Sequence, residues 1–262
     1  MNVKTCLSSL KQRYPNEEFI VNEYHYFDCL HDYKVDKIYT FNVFSVCHGQ
    51  ECDYIMKIQD LPFYKKELDI LKQINGDIAP KLIDYWTCHI YDETSYYNEE
   101  DQCREVGVII SEKYDGDIID LLDNNSLNSK RNNLEKLRWL RNIISIIFRL
   151  NEEYGIKHND LFLGNIVYKI DKLGKITFKL IDFEKAVLFD QENPYTDIAQ
   201  IIAEFIQYLR RSELREIHDL IVNNPNIEEI REIADNMGLD IDDSYSYTDL
   251  QRAIILRSFA LA

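Results

Sequence analysis

The feature that most constrains the fold of this 262-residue chain is a change of hydrophobic period near Glu112 to Gly116. Before that joint, EFIVNEYHYFDCL, KIYTFNVFSV and CDYIMKI are rich in β-branched and aromatic residues and are separated by polar turns such as CHGQE, a pattern that predicts an antiparallel meander. LPFYKKELDILKQI breaks the alternation: Leu61, Tyr64, Leu68, Leu71 and Ile74 fall on one helical stripe, closed by the turn NGDIAP. KLIDYWTCHIY and EVGVIISEKY then return to the strand pattern on either side of the acidic segment DETSYYNEEDQCRE, a solvated loop. This half is expected to hold about five strands and a single helix.

Beyond the joint the composition turns helical. DGDIIDLLDN predicts a short helix, and LEKLRWLRNIISIIFRLNEEYG a long amphipathic one with Gly155 where a left-handed cap belongs. NIVYKI and ITFKLIDF flank DKLGK as a hairpin. TDIAQIIAEFIQYLRR, IEEIREIADNMG and TDLQRAIILRSFALA are helical, with Thr248 and Gln251 as the expected capping box of the last. At the N-terminus Val3, Cys6, Leu7 and Leu10 keep helical spacing among Lys4, Lys11 and Arg13, which is an amphipathic helix and not a secretory core. The expected organisation is an N-terminal helical extension (1–22), a β-rich domain (23–115) and a helical domain (116–262).

Charge and cysteine usage narrow the partners. The formal net charge is −16, from 30 Lys and Arg against 46 Asp and Glu, so neither nucleic acid nor an acidic membrane surface is an expected partner. Cations suit the balance better. The densest apolar run, Ile143 to Phe148, is far short of the roughly 18 to 20 residues of a spanning helix, so the chain is expected to be soluble. All six Cys fall in the first 103 residues with no CxxC pair, from which a reducing, cytoplasmic setting is expected. Cys47-His48, Cys52 and Cys88-His89 fit no compact zinc knuckle; such cysteines commonly serve as small buried hydrophobes. Tyr24, Tyr26, Phe27, Tyr33, Tyr39, Phe41 and Phe44 read as core and cross-strand pairs, since a base-stacking surface would come with basic neighbours.

The chemistry concentrates in GIKHNDLFLGNIVY and KLIDFEKA. A long helix runs into His158-Asn159-Asp160, Asn165 follows at the entrance to a strand, and Asp182 closes the next strand. That spacing sets a carboxylate and an amide on one loop opposite a second carboxylate across a hairpin. Phosphoryl transfer requires hard oxygen ligands for Mg²⁺ and a separate carboxylate to orient the attacking hydroxyl.

HxDxxxxN followed by IDF, after a strand carrying YIMK, resembles the protein-kinase-like superfamily over roughly residues 26 to 210. The wording HNDLxxGNI with LIDFE is most similar to its choline/ethanolamine kinase and aminoglycoside phosphotransferase branch. The resemblance implies an α+β, two-lobed fold, with a small antiparallel N-lobe carrying one helix and a larger helical C-lobe. It implies ATP and Mg²⁺ as cofactors and a hydroxyl-bearing acceptor. Asp160 would be the catalytic base, Asn165 and Asp182 the Mg²⁺ ligands, and His158 the structural histidine of the loop. Lys57 would hold the α- and β-phosphates and Glu67 would pair with it, while the backbone of Glu112 to Tyr114 would meet the adenine edge. Gly116 would let the chain turn into the next helix, and Asp197 would brace the catalytic loop. Independently, Lys57 and Ile55 share one strand face because side chains alternate, which joins an ammonium to an apolar surface.

The departures bear on function. No GxGxxG occurs, and the candidate turn CLHDYKVDKIY has no Gly at all. Serine/threonine protein kinases carry Lys two residues after the catalytic Asp; here Phe162 stands there, and Glu184 replaces the Gly of Asp-Phe-Gly. The path DFEKAVLFDQENPYTDIAQII contains no APE motif and no long activation segment. These features imply transfer to a small alcohol more readily than to a peptide. An atypical, RIO-like serine/threonine protein kinase is one alternative. A pseudokinase scaffold that binds nucleotide or a protein without catalysis is another.

Overall fold

The computed structural model describes residues 4–14, 19–23, 42–48, 51–91, 103–123, 132–189, 195–209, 226–240 and 244–260, with the separate positions 215, 218, 219 and 223. The turn 29–39 and the aromatic residues 24–41 lie outside them. The chain divides into two compact units, Met1–Tyr114 and Asp115–Ala262.

The first unit is a five-stranded antiparallel sheet with helices on its faces. Its elements are α1 (Lys4–Arg13), β1 (Phe19–Glu23), β2 (Asn42–His48), β3 (Glu51–Asp60), α2 (Leu61–Ile74), β4 (Leu82–Tyr91) and β5 (Cys103–Glu112). The strand order is β1-β2-β3-β5-β4, so β5 inserts between its two sequence predecessors. Strand alternation sorts the faces: Met56 and Ile58 join Val106, Val108, Ile110, Trp86 and Ile90 in a core with Cys6 and Leu10 of α1. Lys57 and Gln59 take the other face, toward Glu67 of α2. On that face Tyr64 lies so close to Gly107 of β5 that an added Cβ would stand 1.8 Å from its ring. Glycine at 107 is therefore a packing requirement.

Two cysteines depart from the reduced state expected of them. Cys6 and Cys88 form a disulfide that fastens α1 to β4 across 82 residues of chain. This corrects the reading of all the cysteines as free thiols and removes Cys88 as a candidate zinc ligand. Arg13 continues the attachment, donating from Nε and Nη2 to the two carboxylate oxygens of Asp84 at 2.7 Å each while stacking 5.1 Å above Trp86. The N-terminal helix is thus built into the core of the first unit, and β1, which begins at Phe19, is a strand of its sheet.

The second unit opens with β6 (Gly116–Asp117), α3 (Ile118–Asp123), α4 (Asn132–Glu152) and β7 (Ile156–Lys157). It continues with β8 (Ile166–Ile170), β9 (Ile176–Leu180), β10 (Val187–Leu188), α5 (Thr196–Leu209), α6 (Ile227–Asn236) and α7 (Tyr247–Ala260). β8 and β9 form the expected hairpin, joined by β6; β7 pairs with β10. Gly155, after α4, sits at φ +65°, as its left-handed cap requires. Gly116 is a strand residue opposite Tyr168, two residues before α3, and a Cβ there would come within 2.9 Å of the Asp120 carboxylate. The box capping α7 is also corrected. Ser246 and Asp249 make the reciprocal bonds, Asp249 N–H to Ser246 Oγ and Ser246 N–H to Asp249 Oδ2, two residues earlier than Thr248 and Gln251. Among the described residues no helix is long and apolar enough to cross a membrane.

Candidate active site

Each unit carries part of the predicted constellation. In the first, Lys57 Nζ donates to Glu67 Oε2 at 2.8 Å, and the same oxygen accepts Gln59 Nε2 at 2.8 Å. β3 presents Lys57 and Gln59 on one face because they are two residues apart, and α2 sets Glu67 beside Tyr64 and Leu68 in its buried stripe. Glu67 is 4% exposed, so its charge is balanced by two donors at close range. At the end of β5, the Glu112 N–H donates to Lys81 O (2.9 Å) and the Lys113 N–H to Asp53 O (2.7 Å). Those two amides are committed within the sheet, so a base edge would have to use other groups of this stretch. Tyr114 is half-buried, and burial pushes its hydroxyl up to about 12.

In the second unit the loop between β7 and β8 holds His158, Asp160 and Asn165. Its backbone is fixed from below by α5. The Asp197 carboxylate accepts the N–H of His158 (2.9 Å) and of Asn159 (3.0 Å), and Glu204, two turns on, accepts the N–H of Leu163 (2.9 Å). Asn159 adopts φ 63° and Asp182 φ 70°, both left-handed. Non-glycine residues in that region cost about 1–3 kcal/mol each and persist where surrounding bonds hold them. Phe162 folds back over Gly164, where a Cβ would stand 2.6 Å from its ring.

The loop is joined to the Asp182 segment at three points. His158 Nε2 donates to Ile181 O at 2.9 Å, the Ile181 N–H donates to Asn165 O at 3.0 Å, and Asn159 Nδ2 donates to Lys185 O at 3.3 Å. The His158 ring is wholly buried and leans on Phe183 at 4.8 Å. Burial holds it below the usual histidine range, against the Ile181 hydrogen bond and the neighbouring carboxylates of Asp197, Asp182 and Asp160. Its role is therefore that of a neutral strut. Burial likewise raises Asp197, opposed by the His158 ring and the two amides it accepts.

Asn165 is almost wholly buried and spends its Nδ2 on Asp160 O at 2.9 Å, which leaves the amide oxygen as its remaining polar atom. An amide oxygen and the Asp182 carboxylate are hard donors suited to Mg²⁺, which typically takes one or two carboxylates and completes its shell with water and phosphate oxygens. The donor set fits the implied ion. No cluster of three His, Cys, Asp or Glu able to hold a metal occurs among the described residues.

Two partners in this site escaped the sequence reading. Lys185 Nζ lies 2.8 Å from Asp160 Oδ2, and Glu204 supports Leu163. Glu204 had a signal available: Asp197 and Glu204 interrupt the otherwise apolar face formed by Ile198, Ile201, Ile202 and Phe205, one heptad apart. Beside the loop, Asn159, Asp160, Leu161, Phe162, Thr196, Asp197 and Gln200 line a hollow of about 370 Å³.

No protein-family profile matches the chain, and no curated protein matches its sequence. Solved structures do: 1176 chains match. One is WaaP in complex with acyl carrier protein, at a TM-score of 0.53 and 10% identity, covering 96% of this chain and 96% of that one. A likeness this long at so low an identity is one of fold. The protein has a protein-kinase-like α+β fold, with an antiparallel sheet and its helices in one unit and a mainly helical second unit.

Proposed function

We propose that the protein is an ATP- and Mg²⁺-dependent phosphotransferase acting on a hydroxyl, with a small alcohol as acceptor rather than a peptide. The observation that supports this reading is the loop–hairpin junction: the buried His158 donates to the carbonyl of Ile181, the residue before Asp182, while Asn165 donates from Nδ2 to the Asp160 carbonyl and accepts the Ile181 N–H.

In the proposed reaction Asp160 accepts a hydrogen bond from the acceptor hydroxyl and orients its oxygen toward the γ-phosphorus. The acceptor oxygen bonds to that phosphorus as the bond to the β,γ-bridging oxygen breaks, ADP leaves with the electron pair, and the proton passes to Asp160. Asn165 and Asp182 would hold the ion, which would supply neutralisation of phosphate charge. Lys57, kept extended by Glu67, is the ammonium assigned to the α- and β-phosphates. The hollow lined by Phe162, Thr196 and Gln200 adjoins Asp160 and has room for a small acceptor. The short path from Asp182 to α5 leaves little chain for docking a peptide.

The test is Mg²⁺-dependent ATP turnover by the full chain and by Asp160→Ala. A positioned general base contributes about 10²- to 10⁴-fold, and a loss of that size is expected. If both proteins bind nucleotide and are equally inert, the scaffold reading replaces this one. Phosphate appearing on added protein and on no small alcohol would favour the RIO-like alternative.

A further inference from the structure

Lys185 ends the turn of 3₁₀ helix formed by Phe183–Lys185, and its ammonium donates to Asp160 Oδ2 at 2.8 Å. Its backbone is held on both sides. Phe183 and Ala186 are fully buried, the Lys185 carbonyl accepts Asn159 Nδ2, and β10 begins next, with Val187 opposite Lys157. The side chain is 55% exposed, and an ion pair that open contributes about 0–1 kcal/mol to stability. Folding gains little from it. The chain segment His158 to Asn165, HNDLFLGN, contains no Lys or Arg, and an exposed Phe162 stands two residues after Asp160. Lys185 therefore brings to Asp160 a cation that the loop itself does not supply.

We propose that Lys185 is a further functional residue of the phosphotransfer reaction, an inference that rests on the reading above. Its ammonium fixes Asp160 by one carboxylate oxygen, which leaves Oδ1 to take the acceptor hydroxyl. A lysine has three N–H donors, and those not engaged by Asp160 meet the oxygens of the phosphoryl group in transit. Lys185 keeps its proton throughout: the hydroxyl proton goes to Asp160, and the electron pair of the broken bond leaves with ADP. The Asp160 hydrogen bond raises the pKa of Lys185 above the usual lysine value, so the ammonium persists at neutral pH.

The experiment compares Mg²⁺-dependent ATP turnover, with water as acceptor, for the full chain, Lys185→Met, Lys185→Arg and Asp160→Asn. Each variant is first checked for an unchanged unfolding midpoint, as expected for so exposed a side chain. Removing one donor to a developing charge costs about 10²- to 10³-fold in kcat. Lys185→Met should lose about that much with KM for ATP little changed, and Lys185→Arg should recover most of it. The inference is overturned if Lys185→Met keeps wild-type kcat, if the whole effect falls on KM, or if Arg rescues no better than Met. A rise in kcat for Lys185→Met would instead make the ion pair inhibitory. Any of these with Asp160→Asn inactive leaves the kinase reading standing. A wild-type chain without turnover removes both.

Discussion

Asp197 accepts the backbone N–H groups of His158 and Asn159 with one carboxylate, at 2.9 and 3.0 Å. This single side chain from the first turn of α5 supports the left-handed Asn159 and, through it, the position of Asp160. Asp197→Ala leaves both amides unpaired beneath the loop, and each such group costs about 1–3 kcal/mol. The expected result is a lower unfolding midpoint in denaturant together with a loss of ATP turnover. Adding Asn159→Gly, which relieves the φ strain, should restore part of the stability. A single variant as stable as wild type would show that α5 does not hold the loop.

The buried His158 gives a pH dependence with a definite sign. Its folded pKa is depressed below the ordinary 6.5, so the unfolded chain accepts a proton that the folded one declines. The stability it contributes is complete above about 6.5 and is lost as pH falls from there toward the lower folded value. One proton corresponds to at most about 1.4 kcal/mol per pH unit. Asp197, whose pKa is raised, acts oppositely and over the range just above its ordinary 3.8. Urea unfolding just below pH about 6.5 should therefore show a steeper loss of stability for wild type than for His158→Phe. Equal slopes would mean that the ring titrates as freely folded as unfolded.

Gly107 is predicted to tolerate no side chain. A methyl group 1.8 Å from the Tyr64 ring cannot be accommodated without displacing α2 from β5. Overpacking of this kind costs about 1–3 kcal/mol, and Gly107→Ala should reach or exceed that in thermal and urea unfolding. Tyr64→Ala in the same chain should remove most of the added penalty, a coupling that a double-mutant cycle reads directly. Simple additivity would place the clash elsewhere.

The Cys6–Cys88 disulfide should be a measurable part of stability. Closing a loop of this length is worth about 2–5 kcal/mol. Reductant is expected to lower the unfolding midpoint of wild type and to leave the Cys6→Ser, Cys88→Ser double variant unmoved. Identical behaviour of the two proteins under reductant would mean that the bond contributes nothing.

Local patterns were legible in the sequence because they are written within a few residues of one another. The alternation in YIMKI foretells which side chains leave each face of β3, the stripe from Tyr64 to Ile74 foretells the buried face of α2, and Gly155 marks the left-handed cap of α4. The spacing from His158 through Asn165 to Asp182 was equally readable, since a loop and a hairpin connect all three.

Contacts between distant segments were settled by packing alone. The bond between Cys6 and Cys88 spans 82 residues, the His158–Asp197 contact 39, and the Lys185–Asp160 pair 25. No periodicity carries information over such separations, because which residues meet depends on how whole strands and helices fill space. Two misreadings were local instead: Gly116 is a strand residue opposite Tyr168, and the capping box of α7 lies at Ser246 and Asp249, two residues before the pair expected. The amino-acid order thus specified the elements and the chemical groups, and the tertiary structure chose their partners.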